Sequence, residues 1–272
     1  MEPIIRTKNL WFSYDKKNWV LKGINLKVYR GEIVSLIGPN GCGKTTLVKH
    51  FNGILKPTKG KVFVKNINTA KTTTAELAKI VGYVFQNPNH QIFLNSIFEE
   101  VAFGPKNLGL KNVKNLVKWS LKSVGMDNIN LNTPPFLLSR GGKERLAIAS
   151  LLSMKPEILI LDEPTTGQDY LTCLKIMKLM EEFKKEGRTI ILISHDMEIV
   201  AEYSDRVFLM KKGKIVKKGK PEDVFSDFEF LEKLSLSPPQ IVKIGKALGF
   251  NKIPTSVEEF VEMFKNEVCK LY

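Results

Sequence analysis

The sequence predicts an α/β fold built on a mostly parallel β-sheet that is covered on both faces. Short apolar runs, each typical of a buried strand, alternate with segments whose apolar residues recur every three or four positions. This alternation is typical of parallel sheets, because each crossover between parallel strands usually passes through a helix. The strand pattern stops near Pro221. We therefore expect a sheet-containing domain followed by a small helical extension.

The clearest strand and helix follow one another directly. Residues 32–38 (EIVSLIG) form an apolar run with a glycine at either side, which predicts a strand buried on both faces. The segment 45–55 repeats apolar residues at helical spacing and predicts a helix. Pro57 and Gly60 then predict a turn into a strand at 61–64.

Further strands are predicted by the same kind of apolar run. These runs lie at 80–85, 158–161, 189–194 and 207–210. The last of them continues through Gly213 into a second apolar pair, which predicts a hairpin at the end of the sheet.

Three helices between these strands are marked by their ends. Ser96, with Glu99 three residues later, matches a capping box and predicts the start of a short helix. Apolar residues recur from 113 to 124 and stop at Gly125, which favours a helix end there. Ser139 predicts the start of another helix, which ends before Pro156.

The tail is expected to be helical. Pro238 and Pro239 interrupt it. Thr255 and Glu258 then form a capping-box pattern that predicts the start of a last helix. The apolar face of that helix comprises Val257, Phe260, Val261, Phe264, Val268 and Leu271.

The composition is that of a globular protein with excess positive charge. Of 272 residues, 43% are hydrophobic and 26% charged, which excludes wholesale disorder and a coiled-coil rod. No apolar run approaches the ~20 residues of a membrane-spanning helix, and residues 1–10 do not resemble a secretory signal. The 42 Lys and Arg exceed the 28 Asp and Glu by 14. This surplus favours phosphates, nucleic acid or anionic lipid as partners, although a solvated Lys-rich surface explains it equally well.

The cysteines give no indication of a disulfide framework or a zinc site. Cys42, Cys173 and Cys269 are odd in number and lack the close pairing of metal-binding motifs. We expect a protein of the reducing cytosol.

A phosphate-binding loop is the strongest chemical signal in the sequence. The motif G-x-x-x-x-G-K-[ST] is matched where a predicted strand turns into a predicted helix, by Gly38, Pro39, Asn40, Gly41, Cys42, Gly43, Lys44 and Thr45, with Thr46 following. Its glycines allow backbone N–H groups to turn around a phosphate chain. Lys44 would reach the β- and γ-phosphates, and the Thr45 hydroxyl suits Mg²⁺. The alternative is a glycine-rich turn with an incidental lysine.

Two adjacent carboxylates end a second predicted strand. Asp162 and Glu163 follow the run 158–161, at the carboxyl edge of the sheet where such folds bind ligands. Asp162 would hold Mg²⁺ through its water shell, and Glu163 would polarise an attacking water. An ordinary acidic loop is the alternative, which the phosphate loop makes less favourable.

With these motifs the chain resembles the ATP-binding cassette (ABC) ATPases over about 14–219. Tyr14 resembles the aromatic residue that stacks on adenine. Gln86 resembles the Q-loop glutamine, a metal ligand. The sequence 138–142 (LSRGG) resembles the signature motif, in which Ser139 and Gly141 lie nearest the phosphate.

Two more residues carry the resemblance. Asp169 resembles the D-loop aspartate, and His195 resembles the switch histidine that follows a strand. Each of these residues taken singly is also compatible with an ordinary surface or packing role. Their order along the chain makes those separate explanations jointly improbable.

The resemblance implies a fold and a division of the chain. The fold is a P-loop NTPase domain of the ABC ATPase type, with a mostly parallel sheet, an antiparallel N-terminal part and a helical signature subdomain. This domain would span 1–220, with the helical subdomain at about 87–155. A C-terminal helical extension would occupy 221–272.

The resemblance also implies a two-chain mechanism with ATP and Mg²⁺ as cofactors. Two cassettes face head to tail, and ATP on the phosphate loop of one is covered by the signature helix of the other. Catalysis would fall to Lys44, Gln86, Glu163 and His195. One cassette alone should hydrolyse ATP poorly.

The signature motif departs from the family pattern Leu-Ser-Gly-Gly-Gln. Arg140 replaces the first glycine, and Gly142 replaces the glutamine. The Arg140 charge would either assist phosphate binding or crowd the closed interface, and the sequence leaves both open.

A closer resemblance is to the ATPase subunits of energy-coupling-factor and cobalt importers. It rests on 85–93 (FQNPNHQIF) and 99–110 (EEVAFGPKNLGL). It implies a second ATPase subunit, a membrane T-component, a substrate-binding membrane subunit and a peripheral position on the cytoplasmic face of the membrane. Phe93, Phe98 and Phe103 would line a groove for the T-component, although core packing is equally compatible.

Two other functions are compatible with a phosphate loop. A soluble ABC-type ATPase acting on ribosomes or DNA would suit the positive charge. Such proteins carry either two phosphate loops or a long coiled-coil insertion, and neither is visible here. A phosphoryl-transferring kinase would not need the signature motif or His195. We therefore expect a transport ATPase without a nucleic-acid partner.

Overall fold

The computed structural model of the chain describes residues 2–250 and 252–268. Within them the strands are β1 (Pro3–Phe12), β2 (Leu21–Ile24), β3 (Lys27–Tyr29), β4 (Ile33–Ile37), β5 (Lys59–Val64), β6 (Ile67–Asn68), β7 (Val81–Val84), β8 (Ile158–Asp162), β9 (Thr189–Ile193), β10 (Arg206–Lys211) and β11 (Lys214–Gly219).

The α-helices of the described residues are α1 (Lys44–Val48), α2 (Thr74–Ala78), α3 (Ile97–Asn107), α4 (Val113–Ser123), α5 (Arg140–Leu152), α6 (Tyr170–Lys185), α7 (Met197–Tyr203), α8 (Pro221–Phe225), α9 (Phe228–Glu232), α10 (Gln240–Ala247) and α11 (Val257–Val268). Short 3₁₀ helices lie at Thr69–Lys71, Pro88–His90 and Pro135–Leu137.

The main sheet has six strands in the order β11-β10-β4-β9-β8-β7. All its neighbours are parallel except the hairpin of β10 and β11. Every residue of β4, β8 and β9 is buried, because helices or a second sheet cover both faces. The predicted fold class is confirmed. Because these strands are parallel, their carboxyl ends meet at one edge, where the site described below lies.

The N-terminal part is a second, antiparallel sheet. Its strands run in the order β2-β1-β5-β6, and β3 also pairs with β1. Its buried face, with Leu10 and Val62, shares a core with Leu36 of β4 and with Phe51, which follows α1. This packing fixes the phosphate loop between the two sheets.

The opposite face of the main sheet is covered by α3, α4, α5 and α6. Apolar residues of these helices form one core with the buried side chains of β8 and β9. The helix α5 therefore starts outside the sheet, with Ser139 at its N-cap, and its C-terminal end lies against the core.

The tail packs directly on the sheet. Val224, Phe225 and Leu231 share a small core with Val207 and Leu209 of β10. The first part of the tail thus buries apolar area against the sheet domain. The boundary at residue 220 stays a prediction.

One predicted element boundary was wrong. The helix expected at 45–55 is only the five-residue α1, and the chain continues in turns through Gly53, whose φ is +75°. Asn52 closes this stretch by accepting a hydrogen bond from Ile54 N, a local alternative to the helix. The short helix predicted after Ser96 extends to Asn107, with Pro105 inside it.

The cap of the last helix also differs from the prediction. Ser256 Oγ, rather than the Thr255 side chain, accepts the hydrogen bond from Glu259 N, at 3.1 Å. Thr255 N instead donates to the Glu259 carboxylate. Of the predicted apolar face, the Val268 side chain and Leu271 lie outside the described residues, as does Cys269.

Across the described residues, every helix is too short or too polar to pass through a lipid bilayer. Cys42 and Cys173 are buried, and they form no disulfide with each other.

Candidate functional site

A cleft of about 190 Å³ opens at the carboxyl edge of the main sheet. Most of the residues predicted for nucleotide and metal binding line it. The lining residues are Val20, Asn40, Gly41, Cys42, Gly43, Lys44, Thr45, Thr46, Gln86, Asp162, Glu163, Ile193 and His195.

The phosphate loop forms one wall of the cleft. Gly38 has φ +145°, and a Cβ there would lie 2.2 Å from Met210 O, so only glycine fits where the loop leaves β4. The Lys44 side chain is buried and folds over the loop, donating to Gly38 O at 2.6 Å and Pro39 O at 3.3 Å. The carbonyl groups of Gly38 and Pro39 thus hold the lysine side chain, although neither residue lines the cleft.

Asp162 is held at the end of β8 by two hydroxyl groups. Its Oδ2 accepts from Thr45 Oγ1 at 2.9 Å and from Tyr83 Oη at 2.8 Å. Burial raises the pKa of Asp162 above its ordinary value, against the lowering effect of these two hydrogen bonds. Its Oδ1 is buried and has no partner among the described residues.

This arrangement fits Mg²⁺. A buried carboxylate oxygen without a partner is costly unless something occupies it. Hard oxygen donors from carboxylate, hydroxyl and amide groups are the ligands that Mg²⁺ prefers. Asp162, Thr45 and Gln86 supply these donors around one cleft. They are the residues that would hold the ion.

Glu163 and His195 form a pair beside the phosphate loop. His195 Nε2 lies 3.0 Å from Glu163 Oε1. Burial raises the pKa of Glu163, and Lys44 offsets part of this rise. Burial, together with Lys44, lowers the pKa of His195. The imidazole therefore lies in contact with the Glu163 carboxylate, and its lowered pKa favours the neutral form.

The backbone of Glu163 is also unusual. Its φ is +59°, and its N–H donates to Ile193 O at 2.9 Å. A left-handed conformation is costly for a glutamate and is kept only where neighbours enforce it. Here the bond to β9 aims the side chain into the cleft, towards His195.

Tyr14 stands at the mouth of the cleft. Its ring is 63% exposed and packs edge-on against Phe12, with ring centroids 4.8 Å apart. Its hydroxyl lies 3.2 Å from Thr46 Oγ1. An aromatic face left open to solvent beside a phosphate loop is suited to stacking on a base.

Gln86 lines the cleft immediately after β7, and Gln91 connects its loop to α5. Gln91 Oε1 accepts from Phe85 N at 3.3 Å, and Gln91 Nε2 donates to Ala147 O at 3.1 Å. The position of Gln86 therefore depends on the helix that carries the signature motif.

Three predicted nucleotide-binding residues lie away from this cleft. Ser139 and Gly141 are at the start of α5, and Asp169 caps α6 by accepting from Thr172 N at 2.9 Å. None of them lines the cleft of this chain. The resemblance assigns them to the nucleotide of a partner chain, and their roles stay predictions.

The sequence reasoning missed Val20 and Tyr83. Val20 precedes β2 and reaches the cleft because β2 lies beside the phosphate loop. Tyr83 lies on β7 opposite Ile160 of β8, two residues before the strand-terminal Asp162. A polar aromatic residue within an otherwise apolar buried strand was the signal that could have identified it.

We expect Tyr83→Phe to weaken the affinity of the site for Mg²⁺. The change removes one of two donors to Asp162 Oδ2 and leaves the carboxylate less firmly oriented. Hydrogen bonds to charged groups are worth about 1.5–3 kcal/mol, so the half-saturating Mg²⁺ concentration for ATP binding should rise about tenfold. Tyr29→Phe is the control, because Tyr29 lies outside the cleft. An unchanged Mg²⁺ titration for Tyr83→Phe would contradict this role.

Comparisons with known sequences identify the family of the chain. Residues 21–166 match the family described as ABC transporter. The energy-coupling factor transporter ATP-binding protein EcfA of Methanocaldococcus jannaschii is 51% identical over 250 residues, covering 90% of this chain and 89% of that protein. EcfA of Methanococcus maripaludis is 40% identical, covering 95% of this chain and 99% of that protein.

Solved structures give the same result. CbiO1 of Clostridium perfringens, part of the ABC transporter complex CbiONQ, is 38% identical with a TM-score of 0.75, covering 92% of this chain and 100% of that one. The cassette MJ0796, a dimer bound to ADP and Pi, is 29% identical with a TM-score of 0.73. The match covers 80% of this chain and 98% of that one. By its matched segment and by these relatives, the chain belongs to the ABC transporter family, as one of its ATP-hydrolysing subunits.

Proposed function

We propose that this chain is the ATPase subunit of an energy-coupling-factor importer. The observation that carries the proposal is the 51% identity to an EcfA protein over nine tenths of the chain. The substrate would be a vitamin or a transition-metal ion, chosen by a separate membrane subunit. The relatives do not favour the alternative of a soluble cassette acting on ribosomes or DNA.

The cleft residues have different roles in ATP hydrolysis. Lys44 supplies a positive charge to the β- and γ-phosphates once it leaves the loop carbonyls. Glu163 accepts a proton from the attacking water, and His195 holds the Glu163 carboxylate in place. Tyr14 stacks on the adenine. Thr45, Gln86 and Asp162 would hold Mg²⁺, which would supply positive charge to the phosphates.

A second cassette would complete the site. Ser139, Gly141 and Asp169 lie outside the cleft of their own chain. In the first turn of α5, Gly142 N donates to Ser139 Oγ at 3.2 Å. The N–H groups that precede it have no partner within the helix and suit a phosphate from another chain. The dimeric MJ0796 cassette is a structural relative. We propose a homodimer or heterodimer in which each chain covers the nucleotide of the other.

A pair of exposed aromatic rings marks the proposed contact with the membrane subunits. Phe93 is 63% exposed and Phe103 45%, and their rings meet edge-on with centroids 5.1 Å apart. The buried carboxylate of Glu100 fixes this loop by accepting from Phe93 N and Leu94 N. Phe98 packs on the core instead. Of the three predicted groove residues, only Phe93 and Phe103 are thus available for docking.

We expect the double variant Phe93→Ala, Phe103→Ala to lose its membrane partners. The cassette should retain ATP binding, because neither ring lines the nucleotide cleft. Exposed aromatic anchors at an interface typically cost about 2 kcal/mol or more each when truncated. The measurement is co-purification with the membrane subunits from detergent extracts. Ile67→Ala, an exposed apolar residue on β6, is the control. Unreduced co-purification of the double variant would refute this docking site.

A further inference from the structure

A hydrogen-bonded cluster joins the first turn of α5 to the loop before α6. Glu144 Oε1 accepts from Arg140 Nε at 3.1 Å, and Glu144 Oε2 accepts from Gln168 Nε2 at 2.6 Å. The same Gln168 nitrogen lies 3.2 Å from Gly141 O. Arg140, Glu144 and Gln168 are called here the Glu144 clamp.

Glu144 is the centre of the clamp because it is buried. Its side chain is 7% exposed, whereas that of Arg140 is 64% exposed. A buried carboxylate is costly unless donors satisfy both its oxygens. Among the described residues, Arg140 and Gln168 are the donors, one for each oxygen. The clamp therefore holds one segment of chain on each side of a single carboxylate.

The backbone of the two segments is fitted around the clamp. A Cβ at Gly141 would lie 3.0 Å from Gln168 Oε1. Gly167 has φ +79°, and a Cβ there would lie 3.4 Å from Arg140 Nε. The signature helix and the loop 164–169 are thus in close contact at two glycines.

The clamp also explains the direction of the Arg140 side chain. A cation in the first turn of a helix interacts unfavourably with the helix dipole. A nearby negative charge is needed to offset this interaction. The ion pair with Glu144 supplies this compensation and directs the guanidinium along α5, beside Gly167 of its own chain. The sequence left open whether Arg140 assists phosphate binding or crowds the closed interface. This geometry favours neither role.

We propose that the Glu144 clamp fixes loop 164–169 to the signature helix, so that Ser139, Gly141 and Asp169 meet a partner's nucleotide as one rigid surface. The proposal rests on the two-chain function above. Arg140, Glu144 and Gln168 act as positioning residues, because their contacts are with one another. Loosening the clamp should therefore weaken closure of the dimer and spare ATP binding to the single chain.

The first test measures the clamp in the single chain. Gln168→Glu sets two carboxylates against each other, and we expect amide hydrogen exchange in 164–169 to become about tenfold faster. Adding Glu144→Gln to Gln168→Glu restores a donor and an acceptor between the two side chains, but not the bond to Gly141 O. The hydrogen-exchange rate should therefore return part of the way to that of the parent. Arg140→Gly should also accelerate exchange there. Unchanged exchange in the loop, or no rescue by the double variant, would overturn the clamp.

The second test measures dimer closure. In a Glu163→Gln background, ATP should drive dimer formation. Analytical sedimentation measures the fraction of dimer. Gln168→Glu and Arg140→Gly should each weaken this association about tenfold, while ATP affinity of the monomer stays within twofold. The double variant should restore it in part. Lys118→Ala, an exposed cation on α4, is the control.

A cycle of variants separates positioning from direct phosphate contact. If Arg140 acts through Glu144, Arg140→Gly should have no further effect once Glu144 is Gln. If Arg140→Gly weakened dimer affinity equally with Glu144 and with Gln at position 144, the positioning role would be overturned. Faster hydrogen exchange in the loop with unchanged dimer affinity would overturn it as well. If the Glu163→Gln parent itself fails to dimerise with ATP, the proposed two-chain function fails, and the exchange data still decide whether the clamp exists.

Discussion

Glu163→Gln should lower ATP turnover by about a thousandfold while leaving ATP binding intact. The variant keeps the shape of the side chain and its contact with His195, and removes the carboxylate that we propose accepts the proton from water. General bases contribute about 10²–10⁴ in rate. Phosphate release under ATP saturation measures turnover, and equilibrium binding measures affinity.

The structure supplies a matched control for this variant. Glu157 lies immediately before β8, at the opposite end of the strand from Glu163, and pairs with Arg30 and Lys65 at the surface. Glu157→Gln removes the same charge from the same strand and should leave turnover within about twofold, because surface ion pairs are worth about 0–1 kcal/mol. Full activity of Glu163→Gln in the assembled transporter would refute the assignment of the base.

The location of the site was predictable from the sequence because it depends on strand ends. The strands β4, β8 and β9 are buried on both faces, so each is a continuous apolar run in the sequence. The polar residues that follow each run are therefore easy to recognise. In a parallel sheet these strand ends converge. That is why Lys44, Asp162, Glu163 and His195, which are far apart in sequence, line one cleft.

Contacts between side chains were not predictable in the same way. The clamp brings Gln168 to Glu144 across two elements whose relative position depends on how α5 and α6 pack on the sheet. Tyr83 reaches Asp162 only because β7 and β8 pair in one particular register. The early end of α1 depends on a left-handed Gly53, which helical periodicity does not report. Such features arise from packing rather than from local pattern.

Lys44→Ala should have the second large effect, and it should act on binding rather than on chemistry. The ammonium group is buried beside the phosphate loop, where it donates to Gly38 O and Pro39 O, and Lys44 lines the cleft proposed for the phosphates. Truncating one partner of a buried charged pair costs about 2–4 kcal/mol, which corresponds to roughly thirtyfold to a thousandfold in Kd. Equilibrium binding of ATP with Mg²⁺ measures the loss.

Lys44→Ala and Glu163→Gln together separate the two halves of the proposed cycle. Because we propose that ATP lies between the two chains of the closed dimer, Lys44→Ala should abolish ATP-driven dimerisation, whereas Glu163→Gln should prolong the lifetime of the dimer. Lys61→Ala, an exposed lysine on β5, controls for the loss of a positive charge and should change neither. If Lys44→Ala bound ATP as tightly as the parent, the phosphates would have to lie outside the loop. The cleft would then not be the site of hydrolysis.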